Sequence, residues 1–164
     1  MKNLNLLLAN PDRRVNTLIE VMIRDLCYNR AVVNIFSVGR LDEFTDLAMR
    51  HDFDLAIIAP ENLRPPPKHA AAPRGFEAAL RQIREIKNHR ALPIVAIAVS
   101  PQNEVAVSSA GVDCVLGFPF KFDELKSAVR NFWNVPEEIV EEPTPQNVLV
   151  TLWQRGLQRL TTLW

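Results

Sequence analysis

The 164-residue sequence is long enough for one domain of ordinary size with a short appendage, and 48% of its residues are hydrophobic, as in globular proteins. Lys plus Arg number 19 and Asp plus Glu number 19, so a formal net charge of zero gives no long-range field toward nucleic acid or an anionic membrane. The N-terminal apolar run is too short for a secretory signal, and no stretch approaches the roughly 18 apolar residues of a membrane span, so we expect a cytoplasmic protein.

Strand-like and helix-like patterns alternate along the first four fifths of the chain. In order, the predicted elements are strand 5–9, helix 11–30, strand 32–38, helix 41–50, strand 55–59, helix 75–89, strand 93–99, helix 103–110, strand 113–117 and helix 122–133. The helical segments place apolar residues at i, i+3, i+4 and i+7, whereas the strand segments are short and continuously apolar. Asn10 is the predicted N-cap of the first helix, and Pro11 is its predicted first residue.

This alternation predicts an α/β fold. Continuously apolar strands indicate a parallel sheet that is covered by helices on both faces. Five strands joined by right-handed crossovers fit the flavodoxin-like order 2-1-3-4-5. Function in such folds lies beyond the carboxyl ends of the strands, where the loops here begin at Asn10, Ala59, Ala98 and Gly117.

Two segments fall outside the alternation. Residues 64–74 (RPPPKHAAAPR) are proline-rich and basic, and we expect an insertion, a lid over the strand ends or a polyproline segment for a partner. Residues 134–143 are predicted to form an acidic linker, and residues 144–164 are predicted to form an amphipathic helix. The predicted organisation is therefore one domain over residues 1–133, a linker and a C-terminal helix.

The predicted C-terminal helix carries a stripe of leucine and tryptophan. Its members are Leu149, Leu152, Trp153, Leu157, Leu160, Leu163 and Trp164. A lone helix does not keep such a stripe in water, so we expect homodimerisation, packing onto the helix's own domain, or docking on another protein or a membrane surface. Homodimerisation is the favoured interpretation, and membrane contact is the weakest because only Arg155 and Arg159 flank the stripe.

Four segments carry a resemblance to a known family. They read LLLANPD at residues 6–12, FDLAIIAP at 53–60, LPIVAIAVS at 92–100 and AGVDCVLGFPF at 110–120. In this order and spacing, residues 4–133 resemble a CheY-like receiver domain of bacterial two-component response regulators. The resemblance covers about four fifths of the chain, and it implies the same five-stranded fold.

The family's chemistry is phosphoryl transfer from a histidine kinase to an aspartate after strand 3. Its members hold Mg²⁺ with an acidic pair after strand 1, and they hold the phosphoryl oxygens with a Ser or Thr after strand 4 and a lysine after strand 5. Aligned position by position, the acidic pair falls on Asn10 and Pro11, the phosphoacceptor on Ala59, the Ser/Thr on Ala98 and the lysine on Phe118. The resemblance therefore implies a degenerate phosphorylation pocket, and a pseudo-receiver.

The physical consequence of these replacements is direct. Mg²⁺ requires hard oxygen ligands, but Asn10 offers one neutral carbonyl and Pro11 offers no side-chain ligand. The methyl group of Ala59 accepts no phosphoryl group, and Phe118 does not balance phosphate charge as a lysine does. We predict that aspartyl phosphorylation is lost.

Other residues offer few replacements. Asp12 and Glu61 lie near the expected pocket and Asp54 lies at the opposite end of strand 3, and all three are interpreted as solvated surface acids. The three histidines have no ligand spacing, and Cys27 and Cys114 are predicted to be buried reduced thiols. No phosphate-binding loop or nucleophile elbow is present, so no metal, no cofactor and no enzymatic activity is predicted.

A rigid receiver fold without its pocket keeps its exposed faces. In the family, helix 4, strand 5 and helix 5 commonly form a dimerisation or output face. The positions that resemblance assigns to this face are Val105, Val107, Val115, Lys121, Asp123 and Lys126.

The leading hypothesis is a phosphorylation-independent pseudo-receiver that acts as a protein–protein interaction module in bacterial signal transduction. We expect a protein partner and a homodimer, and we expect no nucleic-acid binding because the chain shows no helix-turn-helix and no basic patch. The alternative is a small-molecule-binding flavodoxin-like domain or enzyme that uses a strand-end crevice lined by Asn10, Pro60, Ser100 and Phe118. A regulatory fragment of a longer transcription factor is a third possibility.

Overall fold

The computed structural model describes residues 2–28, 30–65 and 75–133. Its strands are β1 (Lys2–Ala9), β2 (Ala31–Val38), β3 (Leu55–Ile58), β4 (Ile94–Ala98) and β5 (Cys114–Gly117). Its helices are α1 (Arg13–Leu26), α2 (Leu41–Arg50), α3 (Gly75–His89), α4 (Glu104–Ser109) and α5 (Phe122–Phe132), and a 3₁₀ turn over Pro101–Asn103 precedes α4. The predicted linker, the C-terminal helix and residues 66–74 of the proline-rich segment lie outside the described residues.

The five strands form one parallel sheet in the order β2-β1-β3-β4-β5. This confirms the predicted flavodoxin-like, CheY-like topology. The central strands are buried on both faces because side chains alternate across a strand. Leu6 and Leu8 pack in the core beneath α1 and α5, whereas Leu7 and Ala9 pack in the core beneath α2, α3 and α4.

Each helix closes one of these cores with its apolar stripe. Ile19 and Ile23 of α1 and Val129 of α5 lie in the first core, and Phe44 of α2 and Ile83 of α3 lie in the second. All five side chains are completely buried. The spacing that predicts these helices from the sequence is therefore the spacing that faces the sheet.

Helix α1 begins two residues later than the sequence analysis predicts. The N-cap is Asp12, whose side chain accepts hydrogen bonds from the backbone N–H groups of Arg14 and Val15. Asn10 therefore does not cap this helix, and Pro11 lies before it. A charged Asp oxygen caps a helix as well as Asn does, so the choice between the two depends on where the chain leaves β1.

Two acidic side chains secure the amino ends of the central strands. Asp54 accepts a hydrogen bond of 2.8 Å from the backbone N–H of Asn5. Asp113 accepts 2.7 Å hydrogen bonds from the backbone N–H of Ile94 and from Lys87 Nζ. Asp54 thus lies at the end of β3 opposite the strand-end loops, as predicted, but its interpretation as a solvated surface acid is wrong, because it is half-buried and hydrogen-bonded to Asn5.

Both cysteines are free thiols. Cys27 is buried and Cys114 is half-buried, and desolvation raises the pKa of both thiols. A raised pKa lowers the fraction of each thiol present as thiolate, the nucleophilic form, at neutral pH. Within the described ranges, none of the helices combines the length and the apolar character that crossing a bilayer requires.

The doubly covered sheet predicts a large cost for truncating a central side chain. Ile57 is fully buried and pairs in register with Leu8 and Val95. We expect Ile57→Ala to lower the free energy of unfolding by about 2–5 kcal/mol, as measured by urea denaturation. Val21→Ala is the control because Val21 is 60% exposed on α1, and it should change the stability by less than about 0.5 kcal/mol. Equal effects of the two variants would contradict the burial of Ile57 in the core beneath α1 and α5.

Candidate functional site

Backbone hydrogen bonds bring the predicted pocket positions to one edge of the sheet. The N–H of Ala59 donates to the carbonyl of Ala9 at 2.9 Å, and the N–H of Phe118 donates to the carbonyl of Ala98 at 2.8 Å. Asn10 follows Ala9 directly, so the residues after β1, β3 and β5 lie along the edge with the last residue of β4.

This edge is mostly apolar. Ala59 and Ala98 are each 1% exposed, so methyl groups fill the positions that the resemblance assigns to the phosphoacceptor and to the Ser/Thr. Phe118 is 43% exposed and makes an edge-to-face contact with Phe120, with ring centroids 6.2 Å apart. The peptide bond between Phe118 and Pro119 is cis.

Asn10 is a buried polar residue at this edge, and both of its oxygens accept hydrogen bonds. Its Oδ1 accepts a 3.2 Å hydrogen bond from the N–H of Asp12, and its backbone carbonyl accepts one of 2.8 Å from Asn16 Nδ2. The side-chain oxygen that Asn10 might offer to a cation is therefore used to shape the turn into α1.

The residues at this edge do not fit the magnesium site that a receiver fold implies. Pro11, Ala59 and Ala98 bring no side-chain oxygen, and the Asp12 carboxylate caps α1. Among the described residues, no group of three or more His, Cys, Asp or Glu side chains is arranged to hold a metal ion. Magnesium binds where several hard oxygens converge, and these residues provide no such convergence.

One carboxylate does enter the strand-end loops, and it belongs to Glu61. Its Oε1 accepts hydrogen bonds from the backbone N–H groups of Val99, at 2.9 Å, and Ser100, at 3.1 Å. These two amides directly follow Ala98, the last residue of β4. Glu61 therefore joins the loop after β3 to the loop after β4, and it is half-buried there.

The protonation of Glu61 reflects these contacts. Desolvation by burial favours the neutral acid, but hydrogen bonds from the Ser100 backbone, the Asn103 and Ser100 side chains and the Val99 backbone outweigh it. The net result is that the pKa of Glu61 is lower than its ordinary value. The carboxylate is therefore a fixed negative charge at neutral pH.

The sequence interpretation of Glu61 as a solvated surface acid is wrong. The available signal was its position two residues after Ala59, in a loop that follows a buried central strand. The sequence does not reveal which groups bind the Glu61 carboxylate, because the amides of Val99 and Ser100 lie 38 and 39 residues away. Asp12, interpreted in the same way, is exposed but has a structural task as the cap of α1.

The proposed output face is only partly exposed. Val105 of α4 is 76% exposed, whereas Val107 lies fully buried in the second core. Val115 is half-buried, and Lys126 lies over the Phe122 ring with Nζ 6.0 Å from its centroid. Among the described residues, the exposed members of this face are Val105 on α4, Lys121 at the N-cap of α5 and Asp123 on α5.

Structural comparison places the chain among receiver folds. A sensor histidine kinase receiver domain from Pseudomonas aeruginosa PAO1, with magnesium coordinated in its active-site cleft, is 23% identical with a TM-score of 0.61, and the match covers 79% of this chain and 97% of that one. The receiver domain of a Francisella response regulator is 16% identical with a TM-score of 0.60, and coverage is 80% and 98%.

A third similar structure comes from a provisionally named pilus assembly-related protein of Burkholderia pseudomallei K96243. It is 22% identical with a TM-score of 0.55, and the match covers 78% of this chain and 87% of that one. No protein-family model and no curated protein sequence matches the chain. At these identities the likeness establishes the fold, which is that of a CheY-like receiver domain.

The contacts of Glu61 predict a pH-dependent contribution to stability. A carboxylate with a lowered pKa stabilises the fold above 4.5, its ordinary value, and this contribution is lost as the pH falls through the lower folded-state pKa. We expect Glu61→Gln to lower the free energy of unfolding by about 1 kcal/mol at neutral pH, since hydrogen bonds to a half-exposed charge are partly screened. The difference from the unaltered protein should shrink in urea titrations at about pH 3.5.

The matched control is Glu85→Gln, which removes an exposed carboxylate on α3. It should leave stability unchanged at both pH values and should not shift the NMR amide resonances of Val99 and Ser100. A Glu61→Gln variant that matches this control would show that the Glu61 contact has no energetic role.

Proposed function

We propose that the chain is a pseudo-receiver, a receiver-fold module that works without aspartyl phosphorylation. It acts in the cytoplasm, in bacterial signal transduction, by binding a protein partner, and it is not an enzyme. The observation that carries the proposal is the buried methyl of Ala59 at the phosphoacceptor position, beside the carboxylate of Glu61 on the amides after β4.

The apolar edge supports the loss of phosphoryl transfer. A phosphoryl group needs a nucleophile, a divalent cation and positive charge to balance its oxygens. Ala59, Ala98 and Phe118 supply none of these, and each would require a separate substitution to restore. The Asn10 side chain is engaged within the turn before α1.

The Glu61 contact supports a fixed state of the loop after β4. Two N–H donors at that loop are satisfied by a carboxylate of the same chain. An added anion at those amides would have to displace Glu61 and leave its charge without these partners. This also weakens the alternative of a small-molecule site in the crevice near Ser100, because the Ser100 amide is already engaged.

The interaction role is supported by exposed apolar surface on the domain and by the apolar sequence pattern of residues 144–164. Val105 is exposed on α4, and the predicted C-terminal helix carries a leucine and tryptophan stripe that needs a partner. We propose that this stripe forms a homodimer and that another protein is the second partner. Nucleic acid is not an expected partner, because the net charge is zero.

The proposal predicts no response to phosphate donors. The protein with Mg²⁺ and either acetyl phosphate or beryllofluoride should show no change in mass and no NMR shifts at Asn10, Ala59, Glu61 or Phe118. The physical reason is the absence of an acceptor carboxylate and of a cation site at this edge. The Pseudomonas aeruginosa receiver domain, treated in parallel, is the positive control, since its cleft coordinates magnesium.

Saturable shifts at these four residues of the present protein would contradict the proposal. Ala59→Asp alone should also remain unmodified, because Asn10, Pro11 and Phe118 still provide no magnesium or phosphate ligands. Phosphorylation of this single variant would show that the rest of the pocket is functional.

The dimer proposal predicts that the apolar stripe controls the oligomeric state. In the full chain, Leu152→Asp combined with Leu160→Asp should convert a dimer to a monomer, because a buried unpaired carboxylate is strongly unfavourable. The measurement is light scattering after size-exclusion chromatography. Gln154→Asp combined with Gln158→Asp adds the same charge outside the stripe and should leave the dimer intact.

A monomer for the unaltered chain at all concentrations would overturn homodimerisation. In that case, the next test would be whether other proteins bind the same stripe. Because a pilus assembly-related protein shares the fold, pilus assembly components form a rational first set of test partners.

A further inference from the structure

A cleft lies beyond the carboxyl ends of β1 and β2, on the side of β1 away from β3. Its volume is about 460 Å³, within the range of small-molecule sites. The charged residues that line it are Arg13, Arg40, Arg64 and Glu43. Three guanidinium groups and one carboxylate line this cleft, and because Asp42 neutralises Arg40, the lining keeps an excess of one positive charge.

The backbone holds two of these arginines side by side. Arg40 and Arg64 form a parallel β-bridge, in which the N–H of Leu41 donates to the carbonyl of Arg64 at 3.1 Å and the N–H of Arg64 donates to the carbonyl of Gly39 at 3.3 Å. Like charges that are paired directly across a bridge repel each other. Their placement is favourable when an anion lies between or beside them.

The arginines are only partly neutralised by the protein. Arg40 makes a two-pronged ion pair with the Asp42 carboxylate, which includes a 3.0 Å bond from Nε to Oδ1. Arg13 and Arg64 have no ion pair within residues 2–28, 30–65 and 75–133. Arg13 also lies in the first turn of α1, directly after the Asp12 carboxylate that caps the helix, and Asp12 accepts its hydrogen bonds from the amides of Arg14 and Val15.

Asn16 adds a specific polar group to the cleft. It lines the cleft, it is only 8% exposed, and its Nδ2 donates to the carbonyl of Asn10 at 2.8 Å. This bond fixes the orientation of the amide and leaves Oδ1 buried without a hydrogen-bond partner. A buried acceptor without a partner is unfavourable, so a ligand N–H or O–H donor would stabilise Oδ1 once a local side-chain movement opens this atom to the cleft.

We propose that this cleft binds a small phosphate monoester of sugar or nucleotide type. Arg13 and Arg64 bind the phosphate, and a hydroxyl or amino group of the ligand donates to Asn16 Oδ1. Arginine suits this task because its planar fork matches phosphate oxygens. The bounded volume and the Glu43 carboxylate favour a small ligand over a polyanion. This site goes beyond the proposed function and is separate from the Ala59 position.

The test is an NMR titration of the ¹⁵N-labelled full chain with four probes: ribose 5-phosphate, AMP, inorganic phosphate and adenosine. Ribose 5-phosphate or AMP should shift the Asn16 side-chain amide and the backbone resonances of Gly39, Arg40 and Arg64. Inorganic phosphate should bind at least tenfold more weakly, since it brings no sugar hydroxyl to Asn16. Adenosine should bind more weakly still, since it brings no charge.

Matched variants separate a built site from general charge attraction. Arg13→Gln and Arg64→Gln should each weaken binding of the phosphate ester at least tenfold. Arg24→Gln removes an exposed arginine at the other end of α1 and should have no effect.

Three outcomes would overturn the proposal. One is the absence of shifts at these residues with both phosphate esters up to roughly 10 mM, beyond which binding is too weak to be specific. The others are equal affinity for inorganic phosphate and the esters, and an equal loss of binding in Arg24→Gln.

Discussion

Burial of the central strands on both faces, up to their carboxyl ends, is the constraint on which the rest of this structure depends. A buried strand end tolerates only small or apolar groups unless polar partners compensate for the loss of water. Ala9, Ala59 and Ala98 satisfy this requirement with methyl groups. Asn10 satisfies it with hydrogen bonds on its side-chain and backbone oxygens. The edge where receiver folds carry out chemistry is, in this chain, built as an extension of the core.

The polar groups lie on the two sides of that edge rather than at its centre. Beside β4, the Glu61 carboxylate and the amides of Val99 and Ser100 satisfy one another. Beside β2, Arg13 and Arg64 line a cleft, and the buried Oδ1 of Asn16, another lining residue, has no hydrogen-bond partner. The same sheet thus presents a completed polar cluster on one side of β1 and an incomplete one on the other. Satisfied groups contribute to stability, whereas unsatisfied ones are available for recognition.

Much of this arrangement follows from the sequence, and the exceptions have a physical cause. The hydrophobic periodicity predicts the first and last residues of α2 and α3 correctly, because polar residues flank the apolar stripe of each helix. It misplaces the cap of α1, since Asn10 and Asp12 are chemically equivalent caps until the turn after β1 is known.

The sites were harder to predict than the fold. The methyl group at the position that the resemblance assigns to the phosphoacceptor is visible from Ala59 alone, because a residue type carries that information. The roles of Glu61 and Arg64 depend on contacts with backbone groups far along the chain, such as the 38-residue separation between Glu61 and Val99. Residue types do not encode such contacts. The stripe in residues 144–164 remains a prediction, since it lies outside the described residues.

Glu61 is part of the polypeptide chain, and this determines how long its contact with the loop after β4 persists. An acyl phosphate is removed by hydrolysis, whereas a glutamate side chain lasts as long as the polypeptide. A loop held by such a residue does not decay with a chemical half-life. The contact between Glu61 and the loop after β4 therefore persists for as long as the chain remains folded.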